Sequence, residues 1–366
     1  MPDNRSHDVA VFGATGYTGK QIVRELLAAG RSVVCVGRDL DKLRKLAADT
    51  GQPVRVEAAA LSDRSRVEEI CSDVRTVVNA AGSFVETCEP VACAAIAART
   101  HYVDISGEQR SIQYVFDELG AAAAGAGVAL IPSAAFYAAL ADALVTLLAA
   151  ESGRIDAVDI GYHITDWTPS GAAYANFLRG MGRPIVQFDQ GYVEVRTPRL
   201  ETAEFPDPVG TQTVFTYPAP DAVTVPRHLD VGSVRTWMSA STFGSAVPDR
   251  FVPLMTRAVG AALRSPFRSP AETLFSATTR STHTRIDDDP TRFWISVKAE
   301  GESGVRTATL SADGIFDLTA PIAAAIVGIT LGDAFVATGA VSPAQIVDPR
   351  AFLDGLARHG LAYQLS

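Results

Sequence analysis

Three glycines at three-residue spacing separate an apolar run from an amphipathic stretch at the start of the chain. The run Val9–Phe12 leads directly into Gly13-Ala14-Thr15-Gly16-Tyr17-Thr18-Gly19, and the amphipathic stretch follows. Such glycines permit a tight turn, a close approach of the backbone to a diphosphate, and close packing of the helix on the strand. An ordinary strand-to-helix loop can contain the same glycines. The strand before the turn and the helix after it nevertheless favour a dinucleotide-binding turn, with the diphosphate at the helix N-terminus.

Short apolar runs alternate with amphipathic stretches through the first 150 of the 366 residues. This alternation predicts repeated strand–helix–strand units, which build a parallel sheet with helices on both faces. The sequence therefore predicts an α/β fold with an N-terminal, Rossmann-type, doubly wound parallel sheet that binds ligands at the carboxyl ends of its strands. The predicted strands are Val9–Phe12, Val33–Val36, Val54–Glu57, Thr76–Asn79, Tyr102–Ile105 and Val128–Ile131, and the predicted helices are Gly16–Ala29, Asp41–Asp49, Arg64–Cys71, Pro90–Ala98 and Ile112–Ala124.

The sequence pattern changes after Ser152, where apolar and polar residues alternate along segments such as Asp156–Thr165 and Phe293–Glu300. Strict alternation is typical of antiparallel strands with one face in a core. We expect a Rossmann domain over residues 1–150 and a second, α+β domain with an antiparallel sheet over residues 151–316, which binds substrate or mediates dimerisation. Residues 317–366 are expected to form C-terminal helices that pack back toward the Rossmann domain. The segment Pro198–Pro226 is expected to form long loops.

The end of the second predicted strand indicates which dinucleotide is bound. Domains that prefer NAD place an acidic residue there to accept the ribose hydroxyls, whereas this strand ends in Val36-Gly37-Arg38-Asp39. The guanidinium of Arg38 can pair with a 2′-phosphate, so we predict NADP(H) as the cofactor. Two alternatives stay open: Arg38 is a solvated side chain at a helix start, or Asp39, one residue along, reaches the ribose.

Two further segments are expected at the cofactor. Asp63, after the third strand, either meets the adenine amino group or caps the helix that begins near Arg64, and the sequence favours neither. The segment Asn79-Ala80-Ala81-Gly82 follows the fourth strand, where small residues let the backbone pass beside the ribose and nicotinamide. The topology places this loop at the ligand edge of the sheet. A plain glycine-containing loop is therefore the weaker interpretation.

Composition and charge exclude several classes of protein. The formal net charge of −9 and the scattered basic residues argue against a nucleic-acid partner. The four cysteines show no metal-ligand spacing, so we expect no metal site. The uncharged run 318–332 is too short to cross about 30 Å of hydrocarbon, so we expect a buried helix and no membrane span. The polar N-terminus lacks the features of a secretion signal, which predicts a cytoplasmic protein.

Several segments of the chain resemble the saccharopine dehydrogenase-like oxidoreductases, a family that includes bacterial trans-acting enoyl reductases. These segments are the glycine turn, Gly37-Arg38, Asn79-Ala80-Ala81-Gly82-Ser83-Phe84, His101-Tyr102-Val103-Asp104-Ile105-Ser106-Gly107-Glu108, and the C-terminal Asp317-Leu318-Thr319-Ala320 and Val341-Ser342-Pro343-Ala344. The resemblance implies an NADP-binding Rossmann domain with an α+β domain inserted before the final helices. It does not fix the substrate, because members of this family reduce imines, amino-acid adducts or enoyl thioesters.

One loop departs from the pattern of that family. Its members carry P-G-x-G-F-D-x-x-P-[ST]-D after the sixth strand, whereas this chain has Pro132-Ser133-Ala134-Ala135-Phe136-Tyr137-Ala138-Ala139-Leu140-Ala141-Asp142. Phe136 and Asp142 are retained, and both glycines and the first aspartate are replaced. We therefore expect the substrate or the chemistry of this protein to differ from that of its relatives.

Four residues are candidates for the proton transfer that accompanies hydride transfer. Tyr102 and Asp104 share one face of the fifth strand near its carboxyl end, and Tyr137 and Asp142 follow the sixth strand. Position alone supports them. Their structural alternatives include a core aromatic residue for Tyr102 and a cap or turn residue for Asp104. A short-chain dehydrogenase mechanism is excluded, because none of the four lysines follows a tyrosine by four positions.

The sequence as a whole predicts an NADPH-dependent reductase that acts on a C=N or C=C bond of a small or carrier-bound substrate. We expect the substrate pocket at the carboxyl edge of the Rossmann sheet, beside the second domain. The alternative is a non-catalytic NADP-binding sensor or scaffold, in which the altered loop 132–142 reflects lost catalysis. Whether the chain forms a homodimer stays open.

Overall fold

The computed structural model describes residues 5–152, 154–167, 180, 183–243 and 289–366 of the chain. The chain divides into two compact units. Unit 1 comprises Met1–Leu140 and Phe316–Leu356, and unit 2 comprises Ala141–Ile315 and Ala357–Ser366. Each unit is therefore built from two separate stretches of the chain.

Strands and helices alternate through the first part of unit 1, whereas strands predominate in unit 2. In chain order the strands are β1 (His7–Phe12), β2 (Val33–Gly37), β3 (Arg55–Ala58), β4 (Val74–Asn79), β5 (His101–Asp104), β6 (Ala129–Ile131), β7 (Ile155–Thr165), β8 (Ile185–Asp189), β9 (Tyr192–Val195), β10 (Leu200–Phe205), β11 (Gly210–Thr216), β12 (Val231–Ser239), β13 (Arg292–Gly301), β14 (Gly304–Asp313), β15 (Gly339–Ala340) and β16 (Ala362–Leu365). The α-helices are α1 (Tyr17–Ala28), α2 (Leu40–Thr50), α3 (Arg64–Ser72), α4 (Phe84–Ala97), α5 (Gln109–Tyr114), α6 (Gly120–Ala126), α7 (Ala139–Ser152), α8 (Asp221–Thr224), α9 (Ile315–Thr330), α10 (Pro343–Ile346) and α11 (Pro349–Leu356). A π-helical turn, Val115–Leu119, joins α5 to α6.

Unit 1 is built on a seven-stranded sheet in the order β15-β6-β5-β4-β1-β2-β3. Every pairing in this sheet is parallel. The predicted Rossmann-type sheet is confirmed, and each predicted strand lies close to its expected bounds. The seventh strand, β15, is not predicted by the sequence, because its two residues carry no periodic pattern.

Strand β1 lies in the middle of this sheet, and its side chains are buried alternately in the cores on the two faces. Val9 and Val11 belong to the apolar core on one face, and Ala10 and Phe12 belong to the core on the other face. A strand that is buried on both faces has a continuous apolar sequence, which is typical of parallel sheets. Helix α9, which contains most of the uncharged run, packs into the first of these cores. Its contributing residues are Ala320, Ala323, Ile326 and Val327.

Helix α4 begins at Phe84 rather than at Pro90, where the sequence analysis places its start, and Pro90 lies inside the helix. The carboxylate of Glu108 accepts hydrogen bonds from the amides of Phe84 (2.9 Å) and Val85 (3.3 Å). Amides at the start of a helix have no acceptor within the helix, so a distant carboxylate can cap them. The cap is supplied by a loop that is remote in sequence, and this hides it from a local pattern.

Unit 2 contains a nine-stranded sheet with the central order β10-β11-β12-β7-β13-β14-β16, and β8 and β9 form an additional hairpin on it. The pairing of β7 with β12 is parallel, and the other pairings are antiparallel. The predicted second domain of α+β type is confirmed, and its predominantly antiparallel sheet is mixed.

The expectation of long loops over Pro198–Pro226 is wrong. Strand β10 pairs antiparallel with β11, with Leu200 opposite Phe215, and helix α8 follows. The prolines of this segment lie outside the strands, where a residue without an amide hydrogen does not break a sheet.

Among the helices that the structure describes, none combines the length and the apolar character needed to cross a bilayer.

Candidate functional site

The glycine turn between β1 and α1 is tightly packed on its protein side. Gly13 has a φ of +78°, and a Cβ at this position would lie 2.7 Å from the amide nitrogen of Ala81. A Cβ on Gly19 would overlap the carbonyl oxygen of Gly13. Both positions therefore require glycine for the fold of unit 1 itself.

Gly16, the middle glycine, is in a different environment. It is exposed, and the closest described atom to a Cβ placed there would be the carbonyl oxygen of Gly13, at 3.2 Å. Gly16 immediately precedes α1, and its backbone rather than a capping side chain stands at the helix start. The first amides of a helix lack intrahelical acceptors and carry the positive end of the helix dipole. An open backbone surface at a helix N-terminus is the arrangement that a diphosphate requires.

The residues after β2 and β3 differ in whether their side chains are engaged. Arg38 is exposed, and its guanidinium makes no hydrogen bond or ion pair with the described residues. The carboxylate of Asp39 accepts a hydrogen bond from the amide of Lys42 (3.1 Å) and pairs with the Lys42 ammonium (3.2 Å), contacts that lower the pKa of Asp39. Asp63 caps α3 through the amide of Arg66 (3.1 Å). Both aspartates therefore act as helix caps, whereas Arg38 is available to a ligand.

The side chain of Asn79 shapes the loop after β4. Its oxygen accepts a hydrogen bond from the amide of Ala81 (3.1 Å), and its amide group donates to the hydroxyls of Thr87 (3.2 Å) and Tyr102 (3.3 Å). Thr87 in turn donates to the carbonyl oxygen of Ala81 (2.6 Å). The loop is thereby fixed against the glycine turn, since Gly13 closely approaches the backbone of Ala81.

Tyr102 and Asp104 form a buried hydrogen-bonded pair on β5. Neither residue is exposed, and the Tyr102 hydroxyl donates to the Asp104 carboxylate over 2.8 Å. The carboxylate also accepts from the amides of Ser106 (2.9 Å) and Ser133 (2.8 Å). Burial raises the pKa of Asp104 to about 6, against the lowering effect of its hydrogen-bond donors. Burial also raises the pKa of Tyr102 well above its ordinary value. The pair ties together the loops after β5 and β6.

The loop after β6 keeps a glycine-like backbone although its glycines are replaced. Ser133 stands at the first glycine position of the family pattern and has a φ of +63°. Side chains other than glycine adopt this conformation at a cost. The Ser133 hydroxyl donates to the carbonyl oxygen of Ser106 (2.7 Å), and the Ser133 amide donates to Asp104. These contacts offset the strain and preserve the loop conformation.

The four candidate catalytic residues are divided between the two units. The ring of Tyr137 lies against that of Phe136, tilted by 39° with 3.9 Å between centroids, and it packs against Gly107 in the loop after β5. Tyr102, Asp104 and Tyr137 therefore lie on β5 or on neighbouring loops at the carboxyl edge of the unit 1 sheet. Asp142 lies in unit 2.

Asp142 pairs with a residue that the sequence analysis does not identify. Its Oδ1 lies 2.8 Å from Nε2 of His228, and the two side chains are 0% and 7% exposed. Burial lowers the pKa of His228, but the charge and hydrogen bond of Asp142 raise it by more, so the pKa is above its ordinary value. The partners are 86 residues apart in sequence, and no local pattern marks His228.

The first part of unit 1 matches a known domain family. Residues 9–131 match the saccharopine dehydrogenase NADP binding domain. A saccharopine dehydrogenase-like oxidoreductase from Mus musculus is 30% identical over 157 residues, which cover 38% of this chain and 37% of the relative. A trans-acting enoyl reductase from Mycobacterium leprae (strain TN) is 28% identical over 141 residues, which cover 37% of this chain and 34% of the relative. The matches span about a third of the length of these relatives.

A solved structure shares the fold over the full length of the chain. Apo saccharopine dehydrogenase (L-Glu forming) from Saccharomyces cerevisiae superposes with a TM-score of 0.62 at 13% identity, covering 99% of this chain and 100% of the other. The domain match confirms the predicted cofactor, NADP(H). Together the comparisons confirm the resemblance predicted from the sequence motifs. Residues 9–131 therefore form a domain of saccharopine dehydrogenase NADP-binding type, and 38% of the chain is similar to a saccharopine dehydrogenase-like oxidoreductase.

Proposed function

We propose that the chain is an NADPH-dependent reductase that acts on a C=N or C=C bond of a small or carrier-bound substrate. The observation that carries this proposal is the turn around Gly16, whose open backbone surface stands at a helix N-terminus in a domain of NADP-binding type. Arg38 supports it with a guanidinium that the described residues leave unengaged. We also propose that the reductase works in the cytoplasm, as the sequence predicts.

The cofactor is proposed to bind along the carboxyl edge of the unit 1 sheet. The turn Gly13–Gly19 would hold the diphosphate and Arg38 the 2′-phosphate. Asp63 would meet the adenine amino group through Oδ2, since its Oδ1 caps α3. The loop Asn79–Gly82, whose shape depends on the Asn79 hydrogen bonds, would pass beside the ribose and nicotinamide. NADPH supplies a hydride when it is bound, and the task of these residues is to bind and orient it.

The proton transfer that accompanies hydride transfer is proposed to depend on four residues, Tyr102, Asp104, Tyr137 and Asp142. Tyr102 and Asp104 have no exposed surface, so we propose that they position the loop that contains Ser133 and Tyr137 rather than touch the substrate. Tyr137 is partly exposed on that loop and is proposed to contact the substrate. Asp142 is proposed to act through its partner in unit 2.

The relatives favour one kind of double bond over the other. The Mycobacterium leprae relative is named a trans-acting enoyl reductase, which makes an enoyl thioester the first substrate class to test. The resemblance to imine-reducing members of the family makes a C=N bond the second class. Both reductions add a hydride to one atom of the double bond and a proton to the other, so the same protein groups can serve either.

Oxidation of NADPH in the presence of probe substrates tests the proposal. We expect loss of the nicotinamide absorbance with the crotonyl thioester of N-acetylcysteamine or with a cyclic imine. The matched control is Gly16→Val, which cannot accommodate the diphosphate and is expected to show no turnover. Binding of NADPH without turnover of either probe class would contradict the reductase assignment and favour a non-catalytic NADP-binding sensor.

A further inference from the structure

Helices α2, α3 and α4 of unit 1 each follow a strand of the parallel sheet, so they begin at the same edge of that sheet. A side-chain carboxylate accepts hydrogen bonds from first-turn amides in all three: Asp39 in α2, Asp63 in α3 and Glu108 in α4. Asp39 and Asp63 immediately precede the helices that they cap, whereas Glu108 belongs to the loop after β5. The start of α4 is therefore fixed by a distant part of the chain.

Helix α4 does not use the cap that its own sequence offers. Ser83 stands at the N-cap position, where a serine hydroxyl commonly accepts a hydrogen bond from a first-turn amide, but its side chain makes no such bond. The Glu108 carboxylate takes its place, at 2.9 Å from the Phe84 amide and 3.3 Å from the Val85 amide. A serine cap would also stabilise the helix start. The remote carboxylate does more, because it fixes that start relative to the loop after β5.

The backbone of Glu108 is itself held by two buried serines. Its amide donates to the hydroxyl oxygen of Ser106 (3.0 Å), and its carbonyl oxygen accepts from the hydroxyl of Ser111 (2.9 Å). The two serine hydroxyls lie 2.7 Å apart, and both residues are buried. The Ser106 amide donates to the carboxylate of Asp104 on β5. The Glu108 side chain therefore extends from a rigid part of the loop.

The segment that precedes α4 is anchored at both of its ends. Hydrogen bonds from the side chains of Asn79 and Thr87 fix Ala81, and the Glu108 carboxylate fixes Phe84. Two residues lie between these anchors, so the loss of either anchor loosens the whole of this short stretch. The stretch belongs to the end of the loop that is proposed to pass beside the ribose and nicotinamide.

We propose that Glu108 is a positioning residue for the nicotinamide half of NADPH, an inference that rests on the proposed function. Glu108 acts through the amides at the start of α4 and does not touch the cofactor. Its carboxylate keeps Gly82 and Ser83 in one conformation before the nicotinamide arrives. Binding is tighter when a site is already ordered, because ordering a mobile loop costs free energy. The adenosine half, proposed to bind at Arg38 after β2, does not depend on this stretch.

The experiment measures the two halves of the cofactor separately. Calorimetry gives the Kd of NADPH and of adenosine 2′,5′-bisphosphate, which lacks the nicotinamide half, for the wild type, Glu108→Gln and Glu108→Ala. Glutamine keeps one oxygen acceptor and alanine keeps none, and a typical hydrogen bond within a protein corresponds to about fivefold in an equilibrium constant. We expect the NADPH Kd to rise about fivefold in Glu108→Gln and about twentyfold in Glu108→Ala. The Kd of the bisphosphate should stay unchanged in both variants.

The fluorescence anisotropy of bound NADPH, measured at saturation, reports on the nicotinamide ring itself. We expect the anisotropy to fall in Glu108→Ala, because the ring rotates locally beside a loosened loop, and to recover most of the wild-type value in Glu108→Gln. The matched control is Glu86→Gln, which removes the same charge from an exposed site in the first turn of α4. The control should match the wild type in both affinities and in anisotropy.

Each outcome either supports or overturns the positioning role. An unchanged NADPH affinity or an unchanged anisotropy in Glu108→Ala overturns it and leaves the reductase assignment intact. Equal weakening of both ligands in Glu108→Gln also overturns it, because the residue would then support unit 1 as a whole. If Glu108→Ala fails to fold, the same measurements on Glu108→Gln decide. A wild type that does not bind NADPH refutes the proposed function and the positioning role together.

Discussion

Asp104 is a completely buried carboxyl group, and its replacement by asparagine should change how the stability of the protein depends on pH. Burial raises its pKa from the ordinary 3.8 to about 6, although two amides and the Tyr102 hydroxyl donate to it. A group whose pKa is higher in the folded chain binds protons preferentially in that state. Its contribution to stability is complete below about pH 4 and is lost as the pH rises through about 6.

The two pKa values of Asp104 determine the size of the effect. A gap of about two pH units corresponds to about 3 kcal/mol in the free energy of unfolding. Of this, about 2 kcal/mol is lost between about pH 4.5 and about pH 7.5. Asparagine does not titrate, so the wild type should lose about that much stability relative to Asp104→Asn over this range. Urea unfolding followed by circular dichroism measures the difference, and Asp41→Asn, at an exposed site, controls for the change in net charge. Parallel pH curves for the wild type and Asp104→Asn would refute the reasoning.

Two further sets of variants test the loops at the same edge of the sheet. Gly16→Val should abolish NADPH binding and keep a cooperative melt, because the one described atom near a Cβ there is the Gly13 carbonyl oxygen, at 3.2 Å. Gly19→Val should fail to fold, because its Cβ would overlap that same oxygen. Calorimetry and thermal melts distinguish the two results. Ser133→Ala should lower the free energy of unfolding by about 2 kcal/mol through loss of the hydrogen bond to Ser106. Ser133→Gly should cost about 1 kcal/mol, since glycine adopts the positive φ without strain. The reverse order in urea unfolding would contradict this account of the loop.

The unit 1 sheet could be predicted because each of its signals is local. A central strand such as β1 is buried on both faces and therefore has an apolar sequence, and the glycines after it follow from backbone contacts within a few residues. The C-terminal strand β15 joins the same sheet through two residue pairs with β6. A strand of two residues is too short to show a periodic pattern in the sequence, so only the three-dimensional structure reveals it.

Local sequence patterns do not predict the hairpin of β10 and β11, for a different reason. The prolines on either side of Leu200–Phe205 favour loops in a local pattern, although prolines between strands are compatible with a sheet. The start of α4 depends on Glu108, which caps it from a loop after the following strand. For α4 the deciding interaction therefore lies outside the stretch of sequence in which a local pattern is judged.

The candidate site shows the same division between local and remote information. Asn79, Tyr102 and Asp104 could be selected because parallel strands bring their carboxyl ends to one edge. Their hydrogen bonds to one another depend on side-chain geometry that spacing does not supply. His228 could not be selected, because its partner Asp142 is contributed by a distant stretch of chain.

Calorimetric titration with NADPH and NADH, on the wild type and on Arg38→Ala, tests the central claim most directly. A guanidinium that the described residues leave unengaged can make charge-assisted hydrogen bonds to a 2′-phosphate, and at an exposed site these correspond to at least about tenfold in affinity. The account predicts that the wild type binds NADPH at least about tenfold more tightly than NADH, and that Arg38→Ala removes the difference. Equal affinities of the wild type for the two dinucleotides would contradict it.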